Sequence, residues 1–199
     1  MHCLRAAYPQ TASFEPAVRS DMHGMSERVG EGVKVIRFAI VLLSVAHLLL
    51  ADGIVKELAA ANLKGAAAVP VIPGLFNLAY VENRGCAWGL LQGKVWLLAV
   101  FAVVALFFVI RYRKDVFCFG NTAAKLKFLP HVTEVLLYAG ILGNLADRVF
   151  RGYVIDMFDF YFRANHFPCF NLADVYISVA AGAMLLLSIT APSKESASL

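Results

Sequence analysis

The chain has 199 residues, 60% hydrophobic and only 16% charged, with a formal net charge of +4; ordinary soluble proteins are about 45–50% apolar and about 25% charged. With a mean hydropathy of +0.68, these figures exclude a disordered chain, a coiled coil and a nucleic-acid binder. A 21.7 kDa fold has too little interior to hide so much apolar surface, so a membrane is the expected solvent.

Residues 1–37 are polar and of mixed charge, with no apolar run near the start of the kind a cleavable signal peptide carries. They are expected to form a mobile cytoplasmic extension, with a short amphipathic helix near 33–37. Four apolar segments follow. The first, 38–61, is interrupted by Asp52, Lys56 and Glu57. The second, 95–110, is sixteen uncharged residues between Lys94 and Arg111. At 1.5 Å per residue it spans only about 24 Å, and the flanking cations must snorkel to match a core of about 30 Å. The third, 132–150, carries Asn144, Asp147 and Arg148 at its far end, and the fourth, 171–191, carries Asp174 near its start. This predicts four transmembrane helices in a domain over 38–191, with a short cytoplasmic tail at 192–199.

Orientation follows from Lys and Arg. Segments 1–37, 111–132 and 192–199 hold eleven of these residues, and the remaining segments hold seven. Both termini are therefore expected in the cytoplasm, leaving loops 62–94 and 151–170 outside. Both loops have strand signals. Over 75–83, Phe76, Leu78 and Tyr80 alternate with Asn77, Ala79, Val81 and Asn83, after a start punctuated by Pro70, Pro73 and Gly74. The stretch 153–162 is also strand-like, and aromatic as suits a membrane–water interface. Cys3, Cys86, Cys118 and Cys169 have no CxxC spacing, hence no metal framework; whether Cys86 and Cys169 form a disulfide stays open.

The polar residues within the apolar segments are the informative ones, because each is costly in hydrocarbon unless paired or wet. Asp52 and Lys56 stand at i and i+4, Asn144, Asp147 and Arg148 at i, i+3 and i+4, and Asn171 and Asp174 at i and i+3. Asp156 is tethered in the loop between the third and fourth segments. The topology brings all of them to the outer ends of their helices, while the inner halves read as apolar. No HExxH, His/Cys cluster or GxSxG motif is present, so metal or serine hydrolysis lacks its parts and no cofactor is expected. Carboxylates remain. Two held close share a proton, so one can deprotonate a water while the other protonates a scissile carbonyl. A small transporter or proton relay is the competing class, disfavoured by the apolar inner halves and the lack of an inverted repeat.

The runs LLLADGIVKELAAANL, PGLFNLAYVENRGCAWGLL, GNLADRVFRGYVIDMFDF and FNLADVYISVAAGAMLL, in this order over about 38–190, resemble the signature blocks of the lipoprotein signal peptidase (signal peptidase II) family. The resemblance implies a mainly α membrane protein of four transmembrane helices with a small extracytoplasmic β-cradle. It implies an aspartic endopeptidase of the bacterial inner membrane, with no metal or other cofactor. Its substrates would be prolipoproteins cut just before a diacylglyceryl-modified cysteine, its surroundings membrane lipid, and its working form a monomer.

In the catalytic role the resemblance places Asp156 and Asp174. In substrate-binding or positioning roles it places Asn83, Gly85, Asn144, Asp147, Arg148, Asn171, Asp52 and Lys56. Gly53, Cys86, Trp88 and Val175 depart from the residues frequent at those places in the family. On the residues themselves, Asp147 with Arg148 and Asp52 with Lys56 are expected to be structural ion pairs. Asn83 is read as a substrate contact or a turn residue, Asn171 as a helix cap or a group orienting Asp174, and Asp159 as a solvated bystander facing away from Asp156.

Overall fold

The computed structural model describes residues 15–86, 90–117 and 128–190, and the chain divides into two units, 1–42 and 43–199. Trp88, Cys3, Cys118 and the tail 192–199 lie outside the described residues. In the first unit the described residues are helical, and helix α1 runs Glu15–Leu63. The short helix expected near 33–37 is thus part of a much longer one. Gly24, Gly30 and Gly32 each weaken helix propensity, but extending an existing helix costs far less than nucleating one. Pro16 is tolerated because it stands in the first turn.

In the second unit, α1 leads through Gly65, at φ +77°, to strands β1 (Val69–Ile72) and β2 (Phe76–Asn83). Helix α2 (Val95–Arg111) matches the expected segment. Of its side chains Ala99 is buried, while Trp96, Phe101, Phe107 and Phe108 are exposed. A helix so apolar and so open needs a hydrocarbon solvent. The short α3 (Arg113–Val116) and α4 (Leu129–Phe150) follow, then β3 (Val154–Phe162), β4 (Asn165–His166) and α5 (Leu172–Thr190). Two helical stretches among the described residues, Arg28–Leu63 and Leu172–Ile189, are long and apolar enough to cross a bilayer, and Val95–Arg111 is shorter. The architecture is mostly helical with one small antiparallel sheet.

Two close approaches position the site. Helix α4 packs on α5 through Gly140 and Gly143. A Cβ on Gly140 would come within 2.6 Å of the Ala173 carbonyl oxygen, and one on Gly143 within 2.8 Å of Asp52 Oδ2. Small residues let helix backbones approach in a membrane protein, where no hydrophobic force drives them together. Ala139, Ala173 and Ala180 on these helices are fully buried.

The sheet has the order β1-β2-β3-β4. Its buried strand is β3, whose Ile155 and Met157 pack with Ala59 of α1. The pairing of β2 with β3 is out of step between its two ends. Asn77 stands opposite Asp159 and Leu78 opposite Phe158, but Val81 stands opposite Asp156 and Asn83 opposite Val154, with the shift between Leu78 and Val81. One extra residue in β2 reverses the facing of everything after it. Asn77 and Asn83, expected on one face by simple alternation, are therefore on opposite faces. Asn83 joins the side of Asp156, and Asn77 joins that of Asp159.

Candidate active site

Helix α5 begins on a reciprocal cap. Asn171 Oδ1 accepts from the Asp174 N–H at 3.0 Å, and Asp174 Oδ2 accepts from the Asn171 N–H at 3.1 Å. This is a capping-box arrangement with an aspartate at the third helical position. Asp52 reaches across from α1, and its Oδ1 accepts from the Ala173 N–H at 3.0 Å. Two otherwise orphaned donors of the first turn are thus satisfied by side chains.

The same asparagine turns outward to β3. Asn171 Nδ2 donates to Asp156 Oδ1 at 2.7 Å and to Asn144 Oδ1 at 3.1 Å. Asn83 Nδ2 donates to Asp156 Oδ2 at 2.9 Å, and Asn144 Nδ2 to Asp174 Oδ1 at 2.7 Å. Each of the four carboxylate oxygens of Asp156 and Asp174 therefore accepts from an N–H. Asp156 is 1% exposed. Burial first, and then the charge of Asp174, raise its carboxyl from the ordinary range to about 7, against the lowering influence of Asn83, Asn171 and Lys56.

Behind this pair lies a buried ion cluster. Lys56, 1% exposed, meets Asp52 at 2.7 Å and Asp147 at 2.9 Å, and donates to Asn144 Oδ1 at 3.4 Å. The expected Asp52–Lys56 pair is present. The expected Asp147–Arg148 pair is not. Asp147 is bound instead by Lys56 and by Arg151, whose Nε is 2.9 Å away, and it accepts the Ile155 N–H at the start of β3. Consecutive residues point about 100° apart on a helix, and Arg148 turns to the cavity side. There it donates to the backbone oxygens of Asn144 and Gly85. Arg151 also pairs with Glu57; a sequence reading overlooks it because it lies just past the helix end.

Gly85 is buried, and its N–H donates to Asn83 Oδ1 at 2.9 Å. A Cβ there would stand 2.7 Å from Leu90 O, so the loop after β2 closes only over a glycine. Both ends of the Asn83 amide are engaged, one holding this loop and one holding Asp156.

Asp156 and Asp174 line a cavity of about 490 Å³, together with the polar Asn83, Asn144 and Arg148 and the apolar Phe167, Phe170 and Val175. Cys86 and Cys169 also line it, and both are free thiols. Burial pushes the Cys169 thiol up to about 11.

Two further findings depart from expectation. Asp159 is not solvated: it is 5% exposed, accepts from Asn77 Nδ2 at 3.0 Å and pairs with His166 Nδ1 at 2.7 Å. The in-register position of Asn77 opposite Asp159 explains this, and register cannot be read from one strand alone. The far end of α4 is not wholly apolar either. Glu134 is fully buried and ion-paired with Arg113. No group of three or more His, Cys, Asp or Glu among the described residues is arranged to hold a metal ion.

Comparison with known proteins gives the family. The model of the signal peptidase (SPase) II family matches residues 44–190. A lipoprotein signal peptidase of Fusobacterium nucleatum subsp. nucleatum is 39% identical over 140 residues, 70% of this chain and 79% of that one. One from Syntrophotalea carbinolica is 35% identical over 161 residues, 77% of this chain and 93% of that one. A solved structure described as a bacterial membrane enzyme superposes with a TM-score of 0.63 at 26% identity, covering 76% of this chain and 88% of that chain.

Proposed function

We propose, for a chain that belongs to the signal peptidase (SPase) II family, that Asp156 and Asp174 are the residues with which it removes the signal peptide from prolipoproteins. One observation carries the assignment. A single residue, Asn171, binds both carboxylates at the wall of one cavity, through its side-chain amide to Asp156 and its backbone N–H to Asp174.

The chemistry follows from two carboxyl groups sharing one proton. Asp156, whose burial favours the neutral form, holds the proton. Asp174 is the ionised partner, seated in the first turn of α5, where the helix N-terminus favours an anion. A water lying between them gives a proton to Asp174 as its oxygen bonds to the scissile carbonyl carbon. Asp156 protonates the carbonyl oxygen. The tetrahedral diol then collapses: the C–N bond breaks, one hydroxyl returns its proton to Asp156 as the C=O bond re-forms, and the amine leaves with the proton that Asp174 had taken. The products are a signal peptide ending in a carboxylic acid and a lipoprotein beginning with a free amine.

The remaining site residues support this pair. Asn83, Asn144 and Asn171 orient the carboxylates, and Asp52, Lys56 and Asp147 hold the helix ends that carry them. Arg148 and the loop at Gly85 form the polar wall against which the substrate main chain lies. The cysteine of the substrate carries diacylglycerol, whose acyl chains remain in lipid beside the apolar wall.

The chain sits in the bacterial inner membrane as four helices, from α1, α2, α4 and α5, and works as a monomer without cofactor. The exposed apolar side chains of α2 favour a membrane setting, and the lysine and arginine bias favours both termini in the cytoplasm. The peptidase domain then covers 38–191, flanked by cytoplasmic segments 1–37 and 192–199. Loops 62–94 and 151–170, with the sheet, lie on the outer face.

The test replaces each aspartate separately, Asp156→Asn and Asp174→Asn, and follows cleavage of a diacylglyceryl-modified prolipoprotein in liposomes. Loss of a general acid or base costs about 10²–10⁴-fold, so each variant should leave the precursor uncleaved on the wild-type timescale. Near wild-type cleavage by either variant rules out the pair.

A further inference from the structure

We propose that Lys56 is a positioning residue for the reaction, acting through Asn144: together with Asn171 it fixes which way the Asn144 amide faces, and it holds a buried positive charge behind the two aspartates. The inference deepens the aspartate reading and rests on it.

An asparagine amide has a donor end and an acceptor end of nearly the same shape. Nothing in the covalent structure of Asn144 decides which end meets Asp174. Its neighbours decide. Asn144 Oδ1 faces two donors, Asn171 Nδ2 at 3.1 Å and Lys56 Nζ at 3.4 Å. An NH₂ group in that place would point its hydrogens at an ammonium, which has no acceptor. The amide nitrogen is thereby turned to Asp174 Oδ1, at 2.7 Å. Reversal would set an oxygen against a carboxylate oxygen, and repulsion would displace Asp174.

The charge acts on the same site. Lys56 is 1% exposed, so water screens it little. It is faced by Asp52 from its own helix and by Asp147 and Asn144 from α4. Asp156 is faced by Asp174 from α5, Lys56 from α1, Arg148 from α4, Asn83 from β2, and Asn171 and Cys169 from the segment before α5. Lys56 lowers the proton affinity of Asp156. Its removal must move proton loss from the pair to higher pH.

The experiment measures kcat/KM against pH for a prolipoprotein substrate with wild type, Lys56→Met and the charge-balanced Lys56→Met/Asp52→Asn. The double variant guards against misfolding. It leaves no excess carboxylate in the cluster, keeps an oxygen at residue 52 for the Ala173 N–H, and leaves Asp147 its partner Arg151. The expected result is a fall in kcat of about tenfold in both variants, with the alkaline limb displaced upward by about one pH unit in Lys56→Met, the order of shift that one nearby charge produces, and by less in the double variant, where loss of the Asp52 charge offsets it. A merely structural lysine would lower the melting temperature and the amount of active enzyme, but leave the limb in place. A Lys56→Met variant whose limb coincides with that of a working wild type, or a double variant with undiminished kcat, overturns the role of Lys56 and leaves the aspartate pair standing. A wild-type chain that cleaves no prolipoprotein overturns both.

Discussion

Helix α4 buries charge at both of its ends, and the two burials differ in reach. Near its N-terminus, Glu134 pairs with Arg113 of the adjoining α3, while Thr133 Oγ1 returns a 2.8 Å bond to Leu129 O in its own helix. Near its C-terminus, Asn144 and Asp147 tie α4 to α1, β3 and α5, and the chain of bonds ends on two carboxylates at a cavity wall. A local pair that closes on itself holds helices together. A network whose last members face an open space can also act on what enters that space. Burial alone does not separate the two cases, since Glu134 is as deeply buried as Asp156; the neighbouring cavity does.

Changes at the C-terminal end should therefore affect processing, and changes at the N-terminal end should affect stability. Outside the aspartates themselves, the largest effect is expected from Asn171→Ala, which removes the side-chain half of the α5 cap and the Asp156 Oδ1 tether but keeps the backbone bond to Asp174. A misplacement of about 1 Å at a reacting group costs about a hundredfold, so prolipoprotein cleavage should fall by at least that factor. Asn83→Ala should be nearly as damaging, because it removes the donor to Asp156 Oδ2 and the acceptor that holds the Gly85 N–H. Next is pH. Asp156 has a raised affinity for its proton, so its neutral form prevails at low pH and is lost as pH rises through about 7. In the wild type, kcat/KM should decline about tenfold per pH unit above that point, where the acid is titrated away. A flat profile to pH 9 would remove Asp156 as the acid.

Gly140→Val tests the shared helix contact. Its side chain would meet the backbone of α5, and overpacking of this kind costs about 1–3 kcal/mol. It should lower the melting temperature in detergent and reduce cleavage together. At the N-terminal end, Glu134→Gln leaves Arg113 without its charge partner. Because Arg113 is partly exposed, the expected loss is about 1–2 kcal/mol of stability rather than the larger cost of a fully buried break, with cleavage within about threefold of wild type. A hundredfold loss of cleavage in Glu134→Gln would end the distinction between the two ends. The smallest effect belongs to Lys64→Ala. Its pair with Glu82 is exposed, and neither stability nor processing should change measurably.

Much of the molecule is legible from local pattern. An apolar run between cations marks α2, and i, i+3 and i+4 spacing marks the polar faces of α1, α4 and α5, because helix geometry depends only on near neighbours. The carboxylates and asparagines of the site are also visible as polar residues stranded in apolar surroundings. Their partners are not. Arg148, next to Asp147 in sequence, binds backbone, whereas Arg151, outside the apolar segment, binds Asp147. Glu134 is hidden in an apolar run because its cation comes from beyond α2.

The sequence by itself determined the apolar solvent, the apolar helical segments and the strands β2 and β3, since composition and short-range spacing carry those, and its ordered blocks carried the family resemblance that singles out the two aspartates. Only the tertiary structure decided which groups meet. One added residue in β2 turns Asn83 toward Asp156 and sends Asn77 to Asp159, and two glycines let α5 come close enough for its cap to reach both Asp52 and Asn144. Register and helix-to-helix distance are set by contacts between segments far apart in the chain, and no local pattern encodes them.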